Sequence, residues 1–168
     1  RTALESLDKL MAQPVERPGA GDGAAPVLER RELKGEVEQR NVRFAYPGRD
    51  DAALDGLSFR IAPGEHVALI GRVGSGKSTI QRLVMGLYQP SDGAVLIDGI
   101  DLRQLDPADV RRNCGQVSQD VTLFYGTLRD NIALALPHAD DADALAAAHA
   151  AGLGSFIDRH PKGLQLQV

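Results

Sequence analysis

The sequence predicts a mixed α/β fold, and three observations predict it. An apolar run over residues 65–70 enters a glycine-rich turn and is followed at once by a helix-forming stretch. Short runs rich in Val, Ile, Leu and Phe lie before and after it, each bounded by Gly, Pro, Asn or Asp, as strands are. From residue 140 the chain becomes alanine-rich, with acidic residues at its start and Gly152 near its end, the pattern of a capped helix.

The elements follow in order. Leu4, Leu7 and Leu10, with Met11 beside them, stand at helical spacing and predict a short amphipathic helix. Pro14, Pro18, Gly19, Gly21, Gly23 and Pro26 then break every period, so residues 13–30 read as a linker. Val37, Val42 and Phe44 predict strand structure, residues 55–61 another strand, and residues 65–70 a buried strand leading into the turn. A helix is expected over 77–87, a turn at Pro90-Ser91-Asp92-Gly93, a strand over 94–97, and a further apolar strand near 115–118. The alanine-rich helix over 140–153 is expected to belong to a separate small subdomain. The expected organisation is a helix end and linker over 1–34, a core over 35–136, and the start of a helical subdomain over 137–168.

Composition sets outer limits. The chain has 168 residues, 43% of them hydrophobic and 25% charged, with formal net charge −4. A compact chain of this size buries roughly 70% of its unfolded surface, so a real core is possible. The charge is spread along the chain, which weighs against a nucleic-acid surface. The one cysteine, Cys114, cannot form an internal disulfide. His66, His138, His149 and His160 lack metal-ligand spacing, and none is assigned as a catalytic base. No apolar run approaches the roughly 20 residues of a membrane helix, and the sequence from Arg1 lacks the order of a secretory signal. A reducing, cytoplasmic setting fits best.

The chemistry is carried by Gly71-Arg72-Val73-Gly74-Ser75-Gly76-Lys77-Ser78, which matches G-x-x-x-x-G-K-[ST] between an apolar run and a helix pattern. The glycines allow backbone N–H groups to converge on phosphates, and the helix behind them adds its positive N-terminal end. Lys77 is expected to reach the β- and γ-phosphates of ATP, Ser78 to offer its hydroxyl to Mg²⁺, and Thr79 to add a second hydroxyl. The spacing of the glycines, followed by Lys-Ser, excludes a G-x-G-x-x-G dinucleotide site.

Four further segments bear on the class. Val42-Arg43-Phe44-Ala45-Tyr46-Pro47 resembles the segment of ABC ATPases in which an aromatic ring stacks on adenine. Ser91-Asp92-Gly93-Ala94-Val95-Leu96-Ile97-Asp98-Gly99 resembles that family's second strand, and Val117-Ser118-Gln119-Asp120 its Q-loop. Leu123-Phe124-Tyr125-Gly126-Thr127-Leu128-Arg129-Asp130-Asn131-Ile132 resembles the LF-x-GT-x-x-x-NI stretch of exporter-type members. The resemblance covers most of residues 35–168. It implies a P-loop NTPase of ABC ATPase type, with a mixed sheet, an antiparallel β subdomain and a helical subdomain. It further implies that Tyr46 stacks on adenine, that Gly71 to Thr79 hold the triphosphate, and that Gln119 touches Mg²⁺ and the attacking water. Its partners would be a fused or associated transmembrane domain, a second nucleotide-binding domain in a homodimer, and an exported substrate, at the cytoplasmic face of a bacterial inner membrane.

Arg72 and the stretch Phe156 to Leu164 resemble the type I secretion branch, which exports proteins; lipid and peptide exporters are the alternative. The family's signature, Walker B aspartate, catalytic glutamate and switch histidine are expected beyond Val168, so this stretch alone is expected to bind ATP without hydrolysing it. Residues 94–97 followed by Asp98 imitate a Walker B strand, but Gly99 after Asp98 marks a turn, and Asp98 is expected to be a hairpin residue. Two other classes share the loop motif: a soluble P-loop kinase or GTPase, which should show a nucleotide-specificity motif or lid, and a nonhydrolytic binding module.

Overall fold

The structure, a computed structural model, describes residues 2–12, 28, 29, 32–136 and 138–168. The expected linker and residue 137, where the helical subdomain was expected to begin, fall almost wholly outside these. The chain forms two compact units, one ending at Gln116 and the other Val117–Val168.

The first unit holds α1 (Thr2–Met11), β1 (Val37–Phe44), β2 (Leu54–Ile61), α2 (Lys77–Val84), β3 (Asp92–Ile97), β4 (Ile100–Asp101), a 3₁₀ turn (Leu102–Gln104) and α3 (Pro107–Asn113). The four strands make one antiparallel sheet in the order β2-β1-β3-β4. Alternation puts Val42, Phe44 and Val95 on one face, where they pack with Leu54 and with Ile80 and Leu83 of α2. Asn41, with φ 47°, marks an irregularity at which β1 shifts register against both neighbours. At Gly93 (φ 80°) a Cβ would lie 2.3 Å from the Arg40 carbonyl, so only glycine lets β3 cross that bulge.

Asp98 and Gly99 both take positive φ and turn β3 into β4. The Asp98 carboxylate accepts the N–H groups of Lys34 (2.6 Å) and Glu36 (3.0 Å), which fastens the chain entering β1 to the hairpin. This is a structural duty, as the Gly99 neighbour implies. Asp106 caps α3 ahead of Pro107, and a second cluster, Ile97, Leu105 and Val110, closes beneath it with the half-buried Cys114, whose thiol is raised by burial.

The second unit holds α4 (Leu128–Ile132), α5 (Asp141–Ala150), α6 (Gly154–Arg159) and a 3₁₀ turn (Gly163–Gln165). Ala144, Ala148, Ile157 and Leu164 form its core. Thr127 with Asp130 and Asp140 with Asp143 are two reciprocal capping boxes, each satisfying two otherwise orphaned N–H groups.

Two expected strands do not form. Residues 65–70 and 115–118 have no strand structure, Ile70 is 96% and Val117 94% exposed, and no ladder among the described residues includes them. An apolar run of this kind suits a strand covered on both faces and hydrogen-bonded on both edges, and the sheet present, β2-β1-β3-β4, is built from other segments. The expected helix over 77–87 ends earlier, at Val84, where the Met85, Gly86 and Leu87 N–H groups turn back onto Gln81, Leu83 and Arg82. Among the described residues no helix is long and apolar enough to cross a membrane.

Candidate functional site

The glycine-rich turn closes onto the start of α2. Gly74 and Gly76 take φ 82° and 87°, a region that costs residues with a Cβ. A Cβ at Gly76 would also stand 2.7 Å from Leu54 Cδ2 and 2.8 Å from the Ala53 carbonyl, so bare backbone forms the wall there. Gly76 is the N-cap of α2 and supplies no side-chain cap. The first helical bond runs from the Ile80 N–H to the Gly76 carbonyl (2.9 Å), so the N–H groups ahead of it leave the helix end without an intrahelical acceptor. Positive helix end, converging donors and lack of a Cβ together make a cradle for an anion.

Lys77 is folded across this turn. Its ammonium donates to the carbonyls of Gly71 (2.9 Å) and Arg72 (2.7 Å) and to Ser75 Oγ (3.3 Å). Three oxygen acceptors hold a positive charge over the loop while leaving it near solvent. The turn opens into a cavity of about 330 Å³ lined by residues 74–79 together with Tyr46, Arg49, Asp51, Ala52 and Ala53. Ser78 lines it with an exposed hydroxyl, whereas Arg72 and Val73 are exposed on the turn without lining it.

Tyr46 forms the far wall. Its ring meets Phe44 edge-on at 5.0 Å and Tyr88 at 5.3 Å. Its hydroxyl pairs with Thr79 Oγ1 (3.1 Å) and accepts from Arg82 Nη1 (2.9 Å). Burial alone would raise the phenol's pKa, but the bonds to Thr79 and Arg82 and the Arg82 charge outweigh it and hold the group below the usual tyrosine value. The Thr79 hydroxyl, expected to face a nucleotide, is therefore engaged by Tyr46, and Thr79 itself is buried.

Loop, Tyr46, Lys77, Ser78 and Thr79 thus converge on one cavity. Gln119 lies in the other unit, exposed on irregular chain where Ser118 Oγ donates to the Asp120 carbonyl. Sequence reasoning missed Arg49, Asp51, Ala52, Ala53 and Arg82. Arg82 carried one signal: it lies three residues after Thr79, on the same helix face. The others come from the turn between β1 and β2, which no spacing rule ties to the loop. Among the described residues no cluster of three or more His, Cys, Asp or Glu could hold a metal ion.

Fold and loop define a P-loop nucleotide-binding protein. The family model of the ABC transporter matches residues 54–166, and the chain belongs to that family. It is 38% identical over 166 residues to the ATP-dependent lipid A-core flippase of Pseudomonas putida, covering 98% of this chain and 27% of that protein. It is 47% identical over 133 residues to the cyclolysin secretion/processing ATP-binding protein CyaB of Bordetella pertussis, covering 78% of this chain and 18% of that one. Among solved structures it matches a bacterial Atm1-family ABC exporter with ATP bound, with TM-score 0.84 and 36% identity over 99% of this chain and 29% of the exporter. The chain therefore spans roughly a quarter of the length of these exporter relatives, and its fold is that of an ABC ATPase.

Proposed function

We propose that this chain is the ATP-binding part of an ABC exporter and that its cleft takes MgATP, with the triphosphate against Gly71 to Thr79 and the adenine against Tyr46. The single observation that carries this reading is the convergence of Lys77, an uncapped helix end and the Tyr46 wall on one cavity of about 330 Å³. Lys77 exchanges its loop carbonyls for phosphate oxygens, a stronger charge-assisted contact. Ser78 offers its hydroxyl to Mg²⁺, which keeps most of its other ligands as phosphate oxygens and water. When bound, MgATP supplies the phosphoanhydride whose cleavage drives transport in the whole protein. Gln119 is assigned to the metal and the attacking water.

In this reading the whole protein joins the domain to a transmembrane bundle, pairs it with a second copy, and works at the cytoplasmic face of a bacterial inner membrane. Val121, Leu123, Phe124 and Tyr125, exposed beside Gln119 in sequence, supply an apolar surface for the membrane portion. The cargo we favour is protein, by type I secretion, on the strength of Arg72, the Phe156 to Leu164 stretch and the 47% identity to the cyclolysin secretion protein. The likeness to a lipid A-core flippase supports lipid as the second reading.

Calorimetric titration with MgATP tests the core of the proposal. Lys77→Ala should weaken binding about 10- to 100-fold, the worth of one charge-assisted hydrogen bond, with the circular dichroism unchanged. Equal affinity in the two proteins would refute the site.

A further inference from the structure

We propose that Arg82 is a positioning residue that locks Tyr46 as a platform for the nucleotide base, so that α2 carries both the phosphate-facing groups and the clamp on that platform. The inference rests on the reading of Tyr46 given above and goes beyond it. Tyr46 follows the end of β1 and precedes the turn at Pro47 and Gly48, so regular strand pairing does not fix its side chain. Its orientation must come from what the ring and the hydroxyl touch.

The ring is flanked edge-on by Phe44 and Tyr88, which limits its sideways swing. The hydroxyl is held by two groups on one helix face: Thr79 Oγ1 at 3.1 Å and Arg82 Nη1 at 2.9 Å. The guanidinium carbon lies 5.8 Å from the ring centroid, so the cation also borders the ring. Arg82 is exposed, and among the described residues its guanidinium makes no other hydrogen bond or ion pair, so the phenol is the group it serves. The first turn of α2 carries Lys77 and Ser78 into the phosphate cradle, and its next turn carries the clamp on Tyr46. One rigid helix thereby holds both ends of the ligand site, the preorganisation that lowers the cost of ordering a ligand.

The test compares MgATP with magnesium tripolyphosphate, which has the phosphates and lacks the base, by calorimetry on the full chain. Arg82→Ala should weaken MgATP about 5- to 10-fold, less than the full worth of a charge-assisted hydrogen bond because Arg82 acts through Tyr46, whose hydroxyl Thr79 still holds, and leave tripolyphosphate within about twofold. Tyr46→Phe removes the Arg82 bond from the other side together with the Thr79 bond and should show at least the same loss. The double variant should lose no more than Tyr46→Phe alone, because the phenylalanine already lacks the hydroxyl that Arg82 holds. Arg82→Lys, which can still donate to the phenol, should recover part of the affinity. Equal losses for both ligands, or additive losses in the double variant, would overturn the proposal, since Arg82 would then act on phosphates or elsewhere. An unchanged affinity in Arg82→Ala would overturn it too. Tyr46→Ala separates the two layers: if it leaves MgATP binding intact, the base-stacking reading itself falls; if it weakens binding while Arg82→Ala does not, only the positioning role falls. Arg82 is exposed and alanine favours helix, so the variant keeps its fold, and Tyr46→Phe gives an independent reading of the clamp.

Discussion

At Gly76 a single methyl group would meet Leu54 and the Ala53 carbonyl in a backbone conformation that side chains rarely adopt. Gly76→Ala should therefore cost about 1–3 kcal/mol in a urea melt and weaken MgATP binding as well, because strain and clash fall on the cradle itself. Gly93→Ala carries a similar clash against β1 with no ligand nearby. It should lower stability and leave the affinity of the folded fraction unchanged. The Tyr46 phenol ionises below the usual tyrosine value; burial opposes this, and the bonds to Thr79 and Arg82 with the Arg82 charge override it. Removing Arg82 takes away a partner that favours the phenolate, so Arg82→Ala should move this ionisation upward in an ultraviolet difference titration, with Tyr46→Phe identifying which tyrosine is followed. The glycines were readable from spacing alone, since a P-loop demands them at fixed offsets. The Arg82 contact was not, because its partner lies 36 positions away.

Capping shows how much an element owes to its ends. Helix α5 buries only Ala144 and Ala148, small side chains that give little packing energy, so its N-terminal box of Asp140 and Asp143 matters. Asp140→Ala should destabilise the second unit by about 1 kcal/mol, read from its amides by hydrogen exchange. At α4 the Asp130 carboxyl sits below its ordinary pKa because it accepts the N–H of Thr127 and is bonded to the Thr127 side chain. A depressed carboxyl lends stability that is full above its unfolded pKa and lost as the pH falls through the folded one. The loss at α4 should therefore come only in acid, below the ordinary aspartate range, and Asp130→Asn should remove that pH dependence from the α4 amides. Beside α4, the Asn131 amide ties the Phe124 N–H and carbonyl, so this Asn holds the loop that leads into the helix. Of these local devices only the acidic start of α5 was read from the sequence, although each links residues just three to seven apart.

Each unit has its own core, with Leu83 fully buried in the first and Ile157 buried in the second. Leu83→Ala should cost about 2–5 kcal/mol and lower amide protection throughout β1, β2 and β3; a loss confined to α2 would refute a cooperative first unit. The sequence by itself determined the glycine-rich loop, the capped start of α5 and the Asp98-Gly99 hairpin. Each of these depends on residue type at short, fixed spacing, where backbone conformation and nearby hydrogen bonds decide the outcome. Only the tertiary structure decided that the Thr79 hydroxyl turns to Tyr46, that Arg82 joins them, and that residues 65–70 and 115–118 stay out of the sheet. The reason is the same in all three: a hydroxyl's partner, a guanidinium's target and a strand's neighbours are supplied by distant segments, and apolar periodicity says that a run wants covering without saying what covers it.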